Sequence, residues 1–74
     1  MKKKLSEMDY GEQGTITEIA KDLRTRVAGM GIRVGKKLRM VTKQPIKGPV
    51  DVVVDEAETS LGLDMAEKIT VDVV

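Results

Sequence analysis

Residues Leu23 to Val41 read LRTRVAGMGIRVGKKLRMV. Apolar side chains recur at helical spacing in its first half, at Leu23, Val27 and Met30, and at alternate positions in its second, at Leu38 and Met40. The period therefore changes from about 3.6 to about 2, which predicts a short helix, a turn and a half-buried strand. Gly31 stands just past the helical face, where a left-handed residue ends a helix without steric cost to glycine. Gly29 lies within the helical spacing at a cost of around 1 kcal/mol relative to alanine, so another backbone is expected to approach it closely. The stretch also holds six cations, Arg24, Arg26, Arg33, Lys36, Lys37 and Arg39, and no acid. Such a run is either solvated outer surface or a surface that docks something.

Upstream, Gly11 and Gly14 punctuate the chain before TITEIAK, whose β-branched content predicts a strand. Ile16 and Ile19 are three residues apart, so both can face inward only if the strand bulges or ends between them. Asp22 then occupies the place of a helix N-cap. Downstream, KKLRMVTK alternates, QPIKGP breaks it as a hairpin loop would, and VDVVVDE alternates again with Val50, Val52 and Val54 on one face. Pairing of these two strands would set lysine and arginine across from aspartate, a favourable arrangement. A short strand is expected over Glu58 to Leu61. Asp64 and Glu67 then have the spacing of a capping box for one helical turn, and ITVDVV closes the chain as a strand with Ile69, Val71 and Val73 inward.

The 74 residues bound the possibilities. A chain this short folds as one domain, 1–74, with a small core and no separate catalytic unit. Its apolar supply is mostly Val, Ile, Leu and Met, because Phe and Trp are absent and Tyr10 is the only aromatic residue. Cysteine and histidine are absent too, which removes disulfides, thiolate sites and imidazole chemistry and suits a reducing cytoplasm. The opening Met1-Lys2-Lys3-Lys4 resembles the basic start of a signal peptide, but charges follow it instead of an apolar run. No segment approaches the length of a membrane span. The net charge of +1 hides a division. Lys21 to Lys47 carries nine cations against Asp22, whereas Asp51 to Val74 carries seven acids against Lys68.

Five short strands, one helix inserted after the first and a helical turn before the last describe a mainly β protein, a small SH3-like barrel that curls to bury its single apolar face. Here the chain resembles the FeoA family. The resemblance rests on Gly14 with Ile16 and Ile19, on Leu23, Val27, Met30, Gly31, Ile32, Gly35, Leu38 and Met40, on the PIKGPVDVVV hairpin and on SLGLDMAEKITV. It runs from about Leu5 to Val73. It implies an SH3-like barrel of a cytoplasmic accessory protein of ferrous iron transport, with a membrane transporter of the FeoB type as partner. Similar domains close the C-terminal end of diphtheria-toxin-repressor-type metalloregulators, so the alternative is a stand-alone domain of that kind binding a protein or DNA. The family often has Pro-Gly where this chain has Tyr10-Gly11 and Val34-Gly35, and a glycine in the turn that here reads Asp55-Glu56.

The residues themselves limit the chemistry. With Ser6, Ser60, threonines, Tyr10, lysines and carboxylates in no catalytic spacing, an enzyme is not expected, nor is a resident cofactor. Asp55, Glu56 and Glu58 could offer oxygen ligands to Ca²⁺ or Mg²⁺, though a charged turn is the simpler meaning, and no selective transition-metal site is expected. Met30, Met40 and Met65 fall at apolar positions and are expected in the core. One tyrosine cannot line a groove for proline-rich peptides. Arg24, Arg26, Arg33, Lys36, Lys37, Arg39, Lys43 and Lys47 could track phosphates, but stacking aromatics are missing and no nucleic acid is expected. The best use for Arg24, Arg26, Arg33, Lys36, Lys37 and Arg39 is a docking surface for a protein.

Overall fold

Alternation decides which side of each strand is buried. Val50, Val52 and Val54 are buried on β4 (Val50–Val54), and Ile69, Val71 and Val73 on β6 (Ile69–Val73), as the period of 2 requires. The structure, a computed structural model, describes residues 1–43 and 48–74. The other strands are β1 (Lys2–Lys4), β2 (Gln13–Ile19), β3 (Lys37–Lys43) and β5 (Ala57–Leu61). Together they form one antiparallel sheet in the order β1-β6-β2-β3-β4-β5. Helix α1 (Arg24–Ala28) follows β2, and α2 (Leu63–Ala66) precedes β6.

The fold is mainly β with its short helices where they were expected. The strand count is six instead of five, and the sheet is not closed: among the described residues β1 and β5 are its two unpaired ends. The additional strand is the lysine run Lys2–Lys4, which pairs with β6 through Lys2↔Asp72, Lys3↔Val71 and Lys4↔Thr70. After it, a 3₁₀ turn over Leu5–Glu7 brings Leu5 and Met8 to full burial beneath the curled sheet. Those two side chains join Ile16, Ile19, Leu23, Val27, Ile32, Leu38 and Met40 in one core, with Met30 and Met65 packed against it. Among the described residues no helix is long and apolar enough to cross a membrane.

The β2–β6 register shifts between Ile16 and Glu18. That irregularity lets Ile16 and Ile19 both point inward, as their spacing demanded. The close backbone approach expected at Gly29 is found at Gly14 instead. Among the described residues Gly29 meets only the Arg26 carbonyl oxygen, 3.7 Å from where its Cβ would stand, and no backbone from another element approaches it. The close approach is at Gly14, paired with both Leu38 and Val73, where a Cβ would overlap the carbonyl oxygen of Asp72.

Three further expectations are corrected. Asp22 does not cap α1. Leu23 occupies that position, and the Asp22 carboxylate instead accepts from Lys68 Nζ at 3.0 Å. Gly62 is the N-cap of α2, with no side-chain cap, so Asp64 and Glu67 form no capping box. Arg39 lies opposite Val53 and not an aspartate. Among the described residues the ion pair that joins this region is Lys36–Asp55 at 2.7 Å. The expected hairpin loop in QPIKGP falls largely on residues 44–47, outside the described residues.

Candidate functional site

The basic stretch takes its shape from two successive stops. At the end of α1 the Gly31 N–H donates to the Ala28 carbonyl and the Ile32 N–H to the Val27 carbonyl. With Gly31 at φ +83° this is a Schellman termination, and the buried pair Val27 and Ile32 supplies its apolar contact. The chain then turns over Arg33 to Lys36, closed by Lys36 N–H to Arg33 C=O at 3.1 Å, with Gly35 at φ +94°. A positive φ at the third position marks a type II turn, whose second position favours proline and here carries Val34. The turn is fastened to β2 by Gly35 N–H to Ile16 C=O and Ile16 N–H to Lys36 C=O, both 2.8 Å.

This geometry divides the six candidate cations. Arg24 and Arg33 border a groove of about 500 Å³ lined by Thr17, Ile19, Ala28, Ile32 and Val34. Arg24 is held there by its own Nε–H, which donates to the Ile19 carbonyl at 3.1 Å. Val34, 56% exposed, stands at the turn as an uncovered apolar side chain. Arg26 is exposed on α1 and adds a minor share to the field on Asp22. The hydrogen bond from Lys68, then its charge, holds the Asp22 carboxyl below the usual carboxylate range. Lys36 is half-buried and engaged by Asp55.

Lys37 and Arg39 line a second hollow. They project from the outer face of β3, opposite Thr15 and Gln13 of β2, beside a depression of about 390 Å³ that also reaches Val53 and Val74. The six therefore do not all line one hollow. Among the described residues none of the four arginines takes part in a salt bridge, the pairs being made by lysines and the N-terminal amine. Lys47 and the side chain of Lys43 lie outside the described residues. The sequence pointed to the cations but not to the rest of the groove, because Thr17, Ile19 and Ala28 reach it from elements that the linear pattern does not bring together.

Asp55, Glu56 and Glu58 do not converge. Asp55 and Glu56 form the two-residue β4–β5 turn, both at positive φ, and Glu58 is on β5. Among the described residues no three acidic side chains gather as metal ligands would.

The FeoA domain family matches the chain over residues 3–73. The crystal structure of an iron uptake regulatory protein, FeoA, is similar at 26% identity and a TM-score of 0.91, covering 100% of this chain and 99% of its own. A FeoA from Stenotrophomonas maltophilia in complex with zinc, described as a prokaryotic SH3 domain protein and a candidate activating factor of ferrous iron transport, is 27% identical with a TM-score of 0.76. The match covers 97% of this chain and 89% of that one. A manganese-dependent transcriptional repressor is similar at 25% identity and a TM-score of 0.90, with 99% of this chain covering 42% of the repressor. No curated protein matches the sequence.

Proposed function

Because this chain belongs to the FeoA family, we propose that it is a cytoplasmic, non-enzymatic accessory protein of ferrous iron transport that docks on the cytoplasmic part of an FeoB-type membrane transporter. That partner would recruit it to the inner face of the membrane. The observation that carries the reading is the groove beside α1, with an apolar floor, two arginines outside any salt bridge among the described residues and an exposed valine. Such a surface matches a partner that offers an apolar side chain flanked by carboxylates, the charges steering encounter and the apolar contact slowing release.

A second reading has a specific basis in the likeness to part of the manganese-dependent repressor. On that reading the domain serves DNA-linked regulation. One experiment separates them: biolayer interferometry of the chain against the immobilised cytoplasmic part of the transporter, with a duplex oligonucleotide as the parallel surface. Saturable binding to the first and none to the second is expected. Binding to the duplex alone, with a steep salt slope, would replace the transporter reading with the regulatory one.

A further inference from the structure

The two ends of the sheet are guarded very differently. An edge strand exposes a row of backbone groups able to pair with another chain, and proteins blunt such edges with shortness, lysine or proline. The β1 edge is three lysines long, and the Lys4 N–H is already taken by the Glu7 carboxylate at 2.9 Å. The β5 edge, Ala57–Leu61, contains neither lysine nor proline and runs in unbroken register against β4.

Hairpin geometry says which of its groups are free. In a two-residue hairpin the flanking residues, here Val54 and Ala57, exchange hydrogen bonds, and the exchange recurs at every second pair. Ala57, Thr59 and Leu61 thus turn their amides toward β4, while Glu58 and Ser60 turn theirs outward. No backbone partner of Glu58 or Ser60 exists among the described residues outside the sheet.

Burial points the same way. Directly opposed residues share a face, so Ala57, opposite buried Val54, and Thr59, opposite buried Val52, belong to the core side. Leu61 on that side is buried, Thr59 is half-buried and Ala57 is exposed. Cover over the core thins out along β5, as it would where one more strand is wanting. Around this edge stand Asp51, Glu56 and Glu58, while β5 itself has no cation.

We infer that the β5 edge is a second docking site, one that accepts an extended, lysine- or arginine-bearing segment of a protein partner as an added antiparallel strand paired to Glu58 and Ser60. Charge selects the occupant. A second copy's β5 would bring the same acidic edge against itself, and a second copy's β1 is short and already capped by Glu7. A foreign basic strand meets neither objection. The site goes beyond the arginine groove, which has the opposite charge and lies beside α1.

The test uses the whole chain and a short synthetic peptide of alternating lysine and valine with blocked termini. Amide exchange by NMR should slow about tenfold or more at Glu58 and Ser60 on saturation, with Thr59 and Leu61 little changed, since their amides are already bonded. The peptide with a central proline should bind about tenfold more weakly, because it loses a ladder hydrogen bond. Replacing its lysines by glutamate should weaken it as well. Ser60→Pro removes only an outward N–H and should reduce binding about tenfold while the circular-dichroism spectrum is kept. If that variant does not fold, Glu58→Lys on the outer face serves instead and should also weaken the lysine peptide. Unchanged exchange at Glu58 and Ser60, or equal affinity for the proline-containing peptide, would overturn the proposal. So would concentration-dependent protection of those two amides in the protein alone, which would make the occupant a second copy.

Discussion

Gly14→Ala is expected to be the most damaging single-methyl change in the molecule. Gly14 lies within β2, between Leu38 on β3 and Val73 on β6. A Cβ there would overlap the Asp72 carbonyl oxygen and stand 2.8 Å from Val71 Cγ1. The carbonyl belongs to the backbone of β6, so no rotamer change relieves the clash, and the β2–β6 ladder must part locally. Overpacking of this sort costs typically 1–3 kcal/mol and occasionally more, and with backbone displaced we expect about 3 kcal/mol. A chain of this length has roughly 4–11 kcal/mol in total, so a quarter or more of its stability would go. At about 4–8 °C per kcal/mol the melting temperature should fall by roughly 12–24 °C. Thermal and urea melts followed by circular dichroism measure this. Gly31→Ala is the contrast, since its Cβ would meet nothing and only the φ of +83° is penalised, by about 1–2 kcal/mol. Gly29→Ala, with no more than an ordinary van der Waals contact and a helical φ, should stabilise by about 0.5–1 kcal/mol. A Gly14→Ala protein within 1 kcal/mol of the parent, roughly the error of such melts, or less affected than Gly31→Ala, would refute the close approach of β2 and β6.

The remaining expectations concern turns and charge. Glu56 sits at φ 66° in the β4–β5 turn, so Glu56→Gly should raise the urea midpoint by an amount equal to about 1 kcal/mol; an unchanged midpoint would contradict the turn assignment. Val34→Pro, at the second position of its type II turn, should stabilise by about 0.4–1 kcal/mol, and a fall in melting temperature would contradict that geometry. For Asp22, whose pKa is lowered by its hydrogen bond from Lys68, the pairing contributes above the unfolded carboxylate pKa and is lost as pH falls through the lowered folded value. NMR titration of the Asp22 carboxyl in Lys68→Ala should show it moving up, and no movement would remove Lys68 as the cause. Lys3 has the opposite sign: its hydrogen bond to Glu12 raises its pKa, so its contribution is complete below the unfolded lysine value and disappears only as pH rises through the raised one.

Much of the fold was legible because it is written in short-range periods. The helix, its Gly31 stop, the alternation of β3 and β4, the inward set of β6 and the irregularity between Ile16 and Ile19 all follow from local spacing. What escaped depends on partners far along the chain. Lys2–Lys4 has no apolar alternation and becomes a strand only because β6, about seventy residues away, supplies the ladder. Asp22 looked like a cap because the sequence does not display Lys68, which lies 46 positions downstream. Gly14 looked like punctuation, whereas its reason is the Asp72 backbone. The candidate site followed the same rule. Its cations were visible as a run, but their division between the hollow lined by Arg24 and Arg33 and the one lined by Lys37 and Arg39 comes from folding.

The central claim is that the arginine groove docks on the transporter, and charge reversal tests it most directly. Arg24→Glu together with Arg33→Glu should leave the protein folded, with a loss of about 1 kcal/mol from the Arg24 to Ile19 hydrogen bond, because exposed charges contribute little to stability. Affinity for the transporter's cytoplasmic part is measured at several salt concentrations for parent and variant. The parent should bind less tightly as salt rises, through slower association. The variant should associate much more slowly at low salt, with the two curves converging at high salt. Parent and variant binding alike at every salt concentration would contradict the claim and assign the basic stretch to solvated surface.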